Sequence, residues 1–202
     1  MRVTANLSNG SEKMGWKKYQ SQRNSSYLDW YFCDPHSKEL PIRDVWKEKK
    51  EEPHYEDKTF NFCRSCNQPL LQEALNRGEQ YIFFFTQYKG TNSNFKNKFV
   101  ITGYYKIAST RTIKETNPDR KRNTRKAVRA SEARFFTISD AFKLESIRKN
   151  ARNNSHPRRI GKKRLNEGEV DKILCHFKDR NDRRRDYVKE TVIIKKLRSI
   201  KH

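Results

Sequence analysis

Four side chains in the first third of the chain have the types and spacing of a metal site. Cys33 and His36 form a Cys-x2-His pair, and Cys63 and Cys66 form a Cys-x2-Cys pair after 26 intervening residues. Two knuckle-like pairs suit a structural zinc ion, which takes four sulfur or nitrogen ligands tetrahedrally. Phe60 and Phe62 flank the second pair, as rings often flank knuckles. The same residues also read as reduced core thiols beside a surface histidine, or as a Cys63–Cys66 disulfide. Cys175 is the one further cysteine, too few for a secreted disulfide scaffold. The strand that should precede a thioredoxin-like motif is poor.

A second chemistry is suggested by "EEPHYED", where Glu51, Glu52, His54, Glu56 and Asp57 stand close together. Carboxylates beside a histidine could hold the divalent metal of a nuclease; the plainer reading is a solvated acidic loop. The chain has no phosphate-cradling Gly-rich loop, no Gly-x-Ser-x-Gly elbow and no His-Glu-x-x-His pair. The expectation is therefore binding without catalysis, with a metal-dependent nuclease or restriction-like enzyme as the alternative.

The binding partner is indicated by charge. The formal net charge is +22, from 46 Lys and Arg against 24 Asp and Glu. A field of that size attracts polyanions. Residues 111–134 hold nine basic against three acidic residues, and residues 143–202 hold twenty against eight. Two runs are the candidates for phosphate contacts. One comprises Arg120, Lys121, Arg122, Arg125, Lys126 and Arg129, the other Arg158, Arg159, Lys162, Lys163 and Arg164. Arginine can take a phosphate bidentately and lysine as a point charge. The later "DRNDRRRD" is weaker, because its acids can pair with its own arginines. Trp30, Trp46, Tyr104 and Tyr105 are candidates to stack on a base, where each stacked base is worth about 1–3 kcal/mol, although such rings are commonly core. The partner is expected to be RNA or DNA. A third reading is a structural protein whose basic tail docks on ribosomal RNA.

Those residues must be positioned by a compact core, since apolar residues make up only 33% of the chain. An aromatic content of 12% argues against wholesale disorder. No run approaches the roughly 18 apolar residues of a membrane span, and the start, "MRVTANLSNGSEK", lacks the apolar stretch of a secretory signal. The expectation is a cytoplasmic protein.

The strongest elements are two hydrophobic runs, Tyr81–Thr86 and Phe99–Ile107, separated by a polar loop. Alternation sends Tyr81, Phe83 and Phe85 one way and Ile82, Phe84 and Thr86 the other. Both faces are apolar, which predicts a central strand covered on both sides, or one inside a small barrel. Gly103 marks a bulge or sharp coil in the partner. "YLDWYFCDP" predicts a short strand stopped at Asp34-Pro35, and "NQPLLQEALNRG" a helix over 68–77. Residues 40–52 read as a short helix or extended segment, and residues 109–129 as an exposed basic loop. Ala133–Ile138 reads as a strand and Ser139 as the cap of a helix with Ala141, Phe142, Leu144 and Ile147 inward. A later helix would bury Val170, Ile173, Leu174 and Phe177, and "DYVKETVIIKKLRSI" alternates like a closing strand. These elements compose an α+β fold. Residues 1–28 form a loose lead-in, 29–150 the core, and 151–202 a basic helix and strand packed on it.

Gly78-Glu79, Phe83-Phe84-Phe85 and Ile101-Thr102-Gly103-Tyr104, in that order, resemble the centre of PUA-like domains, especially the EVE and YTH branch. "ARFFTISDAF" is similar to the segment that closes such barrels. The resemblance covers about residues 68–145 and leaves out the basic C-terminal third. It implies a small, bent or closed β-barrel with flanking helices that binds nucleic acid, in some branches holding a modified or flipped base in an aromatic pocket.

Overall fold

A computed structural model describes residues 26–44, 53–61, 80–114, 124–151 and 164–199. Its frame is a mixed sheet of eight strands: β1 (Ser26–Trp30), β2 (Pro53–His54), β3 (Thr59–Asn61), β4 (Tyr81–Gln87), β5 (Phe99–Lys114), β6 (Thr124–Phe135), β7 (Phe142–Lys143) and β8 (Arg164–Leu165). The spatial order is β2-β3-β6-β5-β4-β1-β8, with β7 pairing the start of β5. β1 runs parallel to β4, and the other pairings are antiparallel. Two helices follow, α1 (Glu167–Phe177) and α2 (Arg184–Ser199). The fold is α+β, but among the described residues the sheet stays open. It ends at β2 on one side and β8 on the other, so the expected barrel closure is absent there.

β4 lies between β1 and β5, and its two faces feed two separate cores. Phe83 and Phe85 join Leu28, Ile101 and Tyr104 on one face, covered by Val170, Ile173 and Phe177 of α1. Ile82 and Phe84 join Tyr105, Phe135 and Tyr55 on the other, covered by Tyr187 and Ile194 of α2. A helix on each face is what allows an uninterrupted apolar run to be buried on both sides. Each fully buried aromatic contributes about 1.5–3 kcal/mol by leaving water.

The register between β4 and β5 slips at the expected place. Phe84 pairs with Gly103 and Phe85 with Ile101, which leaves Thr102 as the extra residue of a bulge. Thr102 Oγ1 lies 2.8 Å from the Tyr31 hydroxyl, and its carbonyl accepts from the Phe136 N–H at 2.9 Å. A side chain at Gly103 would put its Cβ 2.5 Å from both the Arg134 carbonyl and the Phe135 ring. Gly103 is thus a packing requirement as well as a kink.

Three expectations are corrected. The segment after Ser139 is no α-helix. Thr137 Oγ1 and Asp140 close a turn, Phe142 and Lys143 pair with Ile101 and Val100, and two 3-10 turns follow at Leu144–Ser146 and Lys149–Ala151. Phe142 and Leu144, two apart, reach the core from a strand edge as readily as from a helix face. The closing strand is instead α2, whose buried Tyr187, Thr191 and Ile194 stand at helical spacing. Its alternation was local, and the neighbouring Val192 and Ile193 are exposed. The basic loop over 109–129 is largely strand, since β5 continues to Lys114 and β6 begins at Thr124.

Other expectations hold in part. The strand expected to stop at Asp34-Pro35 is β1, which ends earlier, at Trp30, with the turn following at Pro35-His36. α1 buries Val170, Ile173 and Phe177 as expected, and the structure adds a capping box in which Asn166 and Glu169 exchange hydrogen bonds at 2.9 Å. Of the segment 40–52, residues 40–44 are described: they form no helix, turn at Pro41 through the Ile42 N–H to the Leu40 carbonyl at 2.8 Å, and bridge Arg43 to Cys33. The helix over 68–77 lies outside the described residues.

Candidate nucleic-acid interface

β5 and β6 pair far beyond the core. After two register shifts near Ile107, Ser109 pairs with Arg129, Arg111 with Ala127, Thr112 with Lys126, Ile113 with Arg125 and Lys114 with Thr124. β3 flanks this ladder as far as the Asn61–Ala127 pair, beyond which the described ladder has two strands. The root is anchored by Val128, fully buried in the α2-side core, while Arg129 is exposed. Over 109–114 and 124–130 the ribbon carries Arg111, Lys114, Arg125, Lys126 and Arg129 and no carboxylate. Strand pairing fixes the backbone of these five cations at about 3.3 Å per residue, which a loop would not do.

The ribbon thus unites Arg125, Lys126 and Arg129 of the expected set, and adds Arg111 and Lys114. Both additions were visible as charge in the sequence; their membership of the same ladder was not. Arg120, Lys121 and Arg122 fall in the connection between the strands, outside the described residues, as do Arg158, Arg159, Lys162 and Lys163. Arg164 is half-buried in β8, paired with Tyr27 at the sheet edge. Its carbonyl accepts from Arg148, which also forms an ion pair with Glu169. Arg164 therefore helps lock β8 to α1.

Two of the four stacking candidates are core residues. Tyr105 is fully buried in the α2-side core, edge-on to Phe84 and Phe135. Tyr104 is 4% exposed, packs on Phe83 and Phe177, and donates its hydroxyl to Glu132 at 2.7 Å. Neither offers a ring face to a base, because adjacent positions on a central strand are buried on opposite faces. Burial raises the hydroxyl pKa of both, most directly by desolvating the phenolate. Trp30 is half-buried beside Phe32, ring centroids 4.3 Å apart. Trp46 lies outside the described residues.

The metal-ligand candidates divide. Cys33 is buried, its Sγ 3.4 Å from the Asp34 carbonyl. Desolvation pushes the thiol up to about 11, partly offset by the backbone N–H of Lys89. His36 is exposed in the following turn, its N–H donating to Asp34 Oδ1 at 2.8 Å. Cys63 and Cys66 lie outside the described residues, and among those described no three His, Cys, Asp or Glu side chains come together. Cys33 and His36 do not by themselves form a metal cradle, so the zinc reading depends on Cys63 and Cys66.

The acidic segment has a structural task. The carbonyls of Tyr55 and Glu56 accept from Arg184 Nη1 at 2.6 and 3.2 Å, while the Glu56 and Asp57 side chains are exposed. Glu51 and Glu52 lie outside the described residues, as does the His54 side chain. Several residues of "DRNDRRRD" are similarly committed. Asp182 Oδ1 accepts from the N–H groups of Phe135 and Arg184, Arg180 pairs with Asp140, and Arg183 pairs with Asp186.

No protein-family model, curated protein or solved structure matches the chain. Among the described residues no helix is long and apolar enough to cross a membrane.

Proposed function

We propose that the protein binds nucleic acid without catalysis and that the β5–β6 ribbon is its main phosphate-binding surface. One observation carries this reading: the strand ladder runs through the basic segment and gives five cations, with no carboxylate among them, a fixed spacing. A two-stranded β-ribbon fits the major groove of a duplex, and cations on it would release condensed counterions from the phosphates. Arg120, Lys121 and Arg122, in the connection between the strands, would extend the contact.

Base recognition of the kind the PUA-like resemblance implies would fall to Trp30 and Trp46, since Tyr104 and Tyr105 are committed to the cores. A zinc staple through Cys33, His36, Cys63 and Cys66 would tie the β1 end to the segment before β4, and metal analysis of the purified protein tests it.

The test of the main reading is a titration of 20-mer RNA and DNA at about 50 mM salt, where counterion release is strongest. Binding should weaken steeply with salt. An Arg125→Glu, Lys126→Glu and Arg129→Glu variant should bind at least tenfold more weakly, with a salt slope smaller by roughly 2–3. Absence of binding to every 20-mer at that salt would overturn the proposal.

A further inference from the structure

The opposite end of β5 carries a second set of cations on a differently built support. The β4–β5 connection, residues 88–98, is braced against residues 33–39 by the fully buried Tyr88. Its hydroxyl donates to the Lys38 carbonyl at 2.6 Å and accepts from the Asn92 N–H at 3.3 Å. Gly90 has no room for a side chain, since a Cβ would lie 2.0 Å from the Ser37 carbonyl. Asn92 closes a turn onto Asn94 and Phe95, and Asn97 takes a left-handed conformation (φ 64°) that returns the chain to β5. Beneath lies a small core of Cys33, Tyr88, Val100, Ile138 and Ala141, with Phe95 packed against it.

Five lysines stand exposed on this platform: Lys38, Lys89, Lys96, Lys98 and Lys143. Residues 87–98 contain no acid, Asp34 and Asp44 are buried, and Glu39 is the exposed acid of the 33–44 loop. Lys89 donates to the neutral Asn97 side chain at 2.9 Å, and the Lys143 ammonium sits 5.3 Å from the Phe95 ring centre. Among the described residues none of the five lysines has an ion pair to lose on binding.

Resting on the nucleic-acid reading above, we infer that this lysine platform is a second phosphate-binding surface, and that both ends of β5 engage one duplex. From Phe99 the ribbon cations begin ten residues along β5, where Ser109 pairs with Arg129, and extend to Lys114; at about 3.3 Å per residue roughly 30–50 Å of strand separates the two surfaces. At 3.4 Å per base pair that is about 10–15 base pairs. A duplex of this length is stiff, with a persistence length near 150 base pairs, so one rod can bridge two fixed surfaces. A duplex of 8 base pairs reaches only one.

Stoichiometry tests this on the full chain, by calorimetry or native mass spectrometry at about 50 mM salt. The wild type should bind two 8-base-pair duplexes but one 20-base-pair duplex. A Lys89→Glu, Lys96→Glu and Lys98→Glu variant, all three at exposed positions, should bind one 8-base-pair duplex and hold the 20-mer at least tenfold more weakly. Its melting temperature, within a few degrees of wild type, checks that the fold survives. If the 20-mer binds but one short duplex saturates the wild type and the lysine variant is unaffected, the second surface is wrong and the ribbon reading stands. If a 20-nucleotide single strand binds as tightly as the duplex, bridging by a rigid rod is overturned. If no nucleic acid binds, the underlying proposal fails with it.

Discussion

The two ends of β5 carry similar charge on unlike supports. At the Phe99 end the cations ride on a loop packed over its own small core, tied by Tyr88 to a second loop. At the Lys114 end they ride on a ladder whose described pairing thins to two strands past Ala127. Stability at the first end comes from burial and side-chain hydrogen bonds, at the second from backbone pairing anchored at Val128. An isolated two-stranded ribbon is marginal in water, so the ribbon should open at lower free energy than the braced loop. A basic surface can be held by packing over its own core or by backbone pairing to strands rooted in another core.

The largest expected effect breaks the braced end. Gly90→Ala forces its Cβ against the Ser37 carbonyl and the Tyr88 hydroxyl. It should cost about 3 kcal/mol, at the upper range of overpacking, measured by urea denaturation. Hydrogen exchange should quicken over 88–98 while the ribbon amides keep their rates. Equal loss of protection at both ends would show that they are not independent.

Alkaline pH distinguishes packing from pairing next. In the metal-free chain the Cys33 thiol rises from 9.0 to about 11 on folding, so between those values the unfolded chain loses the proton first. Stability is fully present below pH 9 and falls as pH rises through 11, by about 2–3 kcal/mol at 1.36 kcal/mol per unit. Tyr31 and Tyr187, also raised by burial, act in the same direction at higher pH. A Cys33→Ala variant should show a shallower decline between pH 9 and 11, followed by denaturant midpoints; an unchanged slope would remove Cys33 as the cause.

Tyr88→Phe keeps the ring but deletes the hydroxyl between the two loops. Leaving the Lys38 carbonyl without that donor should cost about 1–2 kcal/mol, and the platform's affinity for a short duplex should fall while the ribbon's is unchanged. The smallest effect on stability belongs to Arg129→Ala, an exposed ladder position expected within about 0.5 kcal/mol of wild type. Its consequence should appear in the salt dependence of binding, with a slope lower by about 0.9. A variant that melts normally but keeps the wild-type slope would take Arg129 out of the interface.

Much of the frame was legible. The run Tyr81–Thr86 is apolar on both faces, which pointed to a strand buried on both sides or inside a small barrel, and β4 is the former. Gly103 announced its bulge because a side chain has no space there. The spacing of Val170, Ile173 and Phe177 specified α1. The site was less legible, because charge marks a segment without describing its backbone. Residues 109–114 and 124–129 read as loop, since arginine and lysine hide the alternation that betrays a strand, yet β5 and β6 pair throughout. Tyr104 and Tyr105 looked available to a base; only the placement of α1 and α2 on opposite faces commits both to the interior.

The amino-acid order alone determined the excess of positive charge, the central strand pair, the bulge and the first helix, because each follows from contacts within a few residues or from simple counting. The tertiary structure decided that "DYVKETVIIKKLRS" is helical, that the sheet stays open among the described residues, and that two groups of cations gather beyond the opposite ends of β5's buried stretch. Those outcomes depend on partners far away in the chain. Phe135 and Tyr55 offer Tyr187 a place to pack, Arg184 is held by the turn after β2, and Ser37 meets Gly90. Local periodicity carries no record of such distant surfaces, and burial against them is worth more than the propensities it overrides.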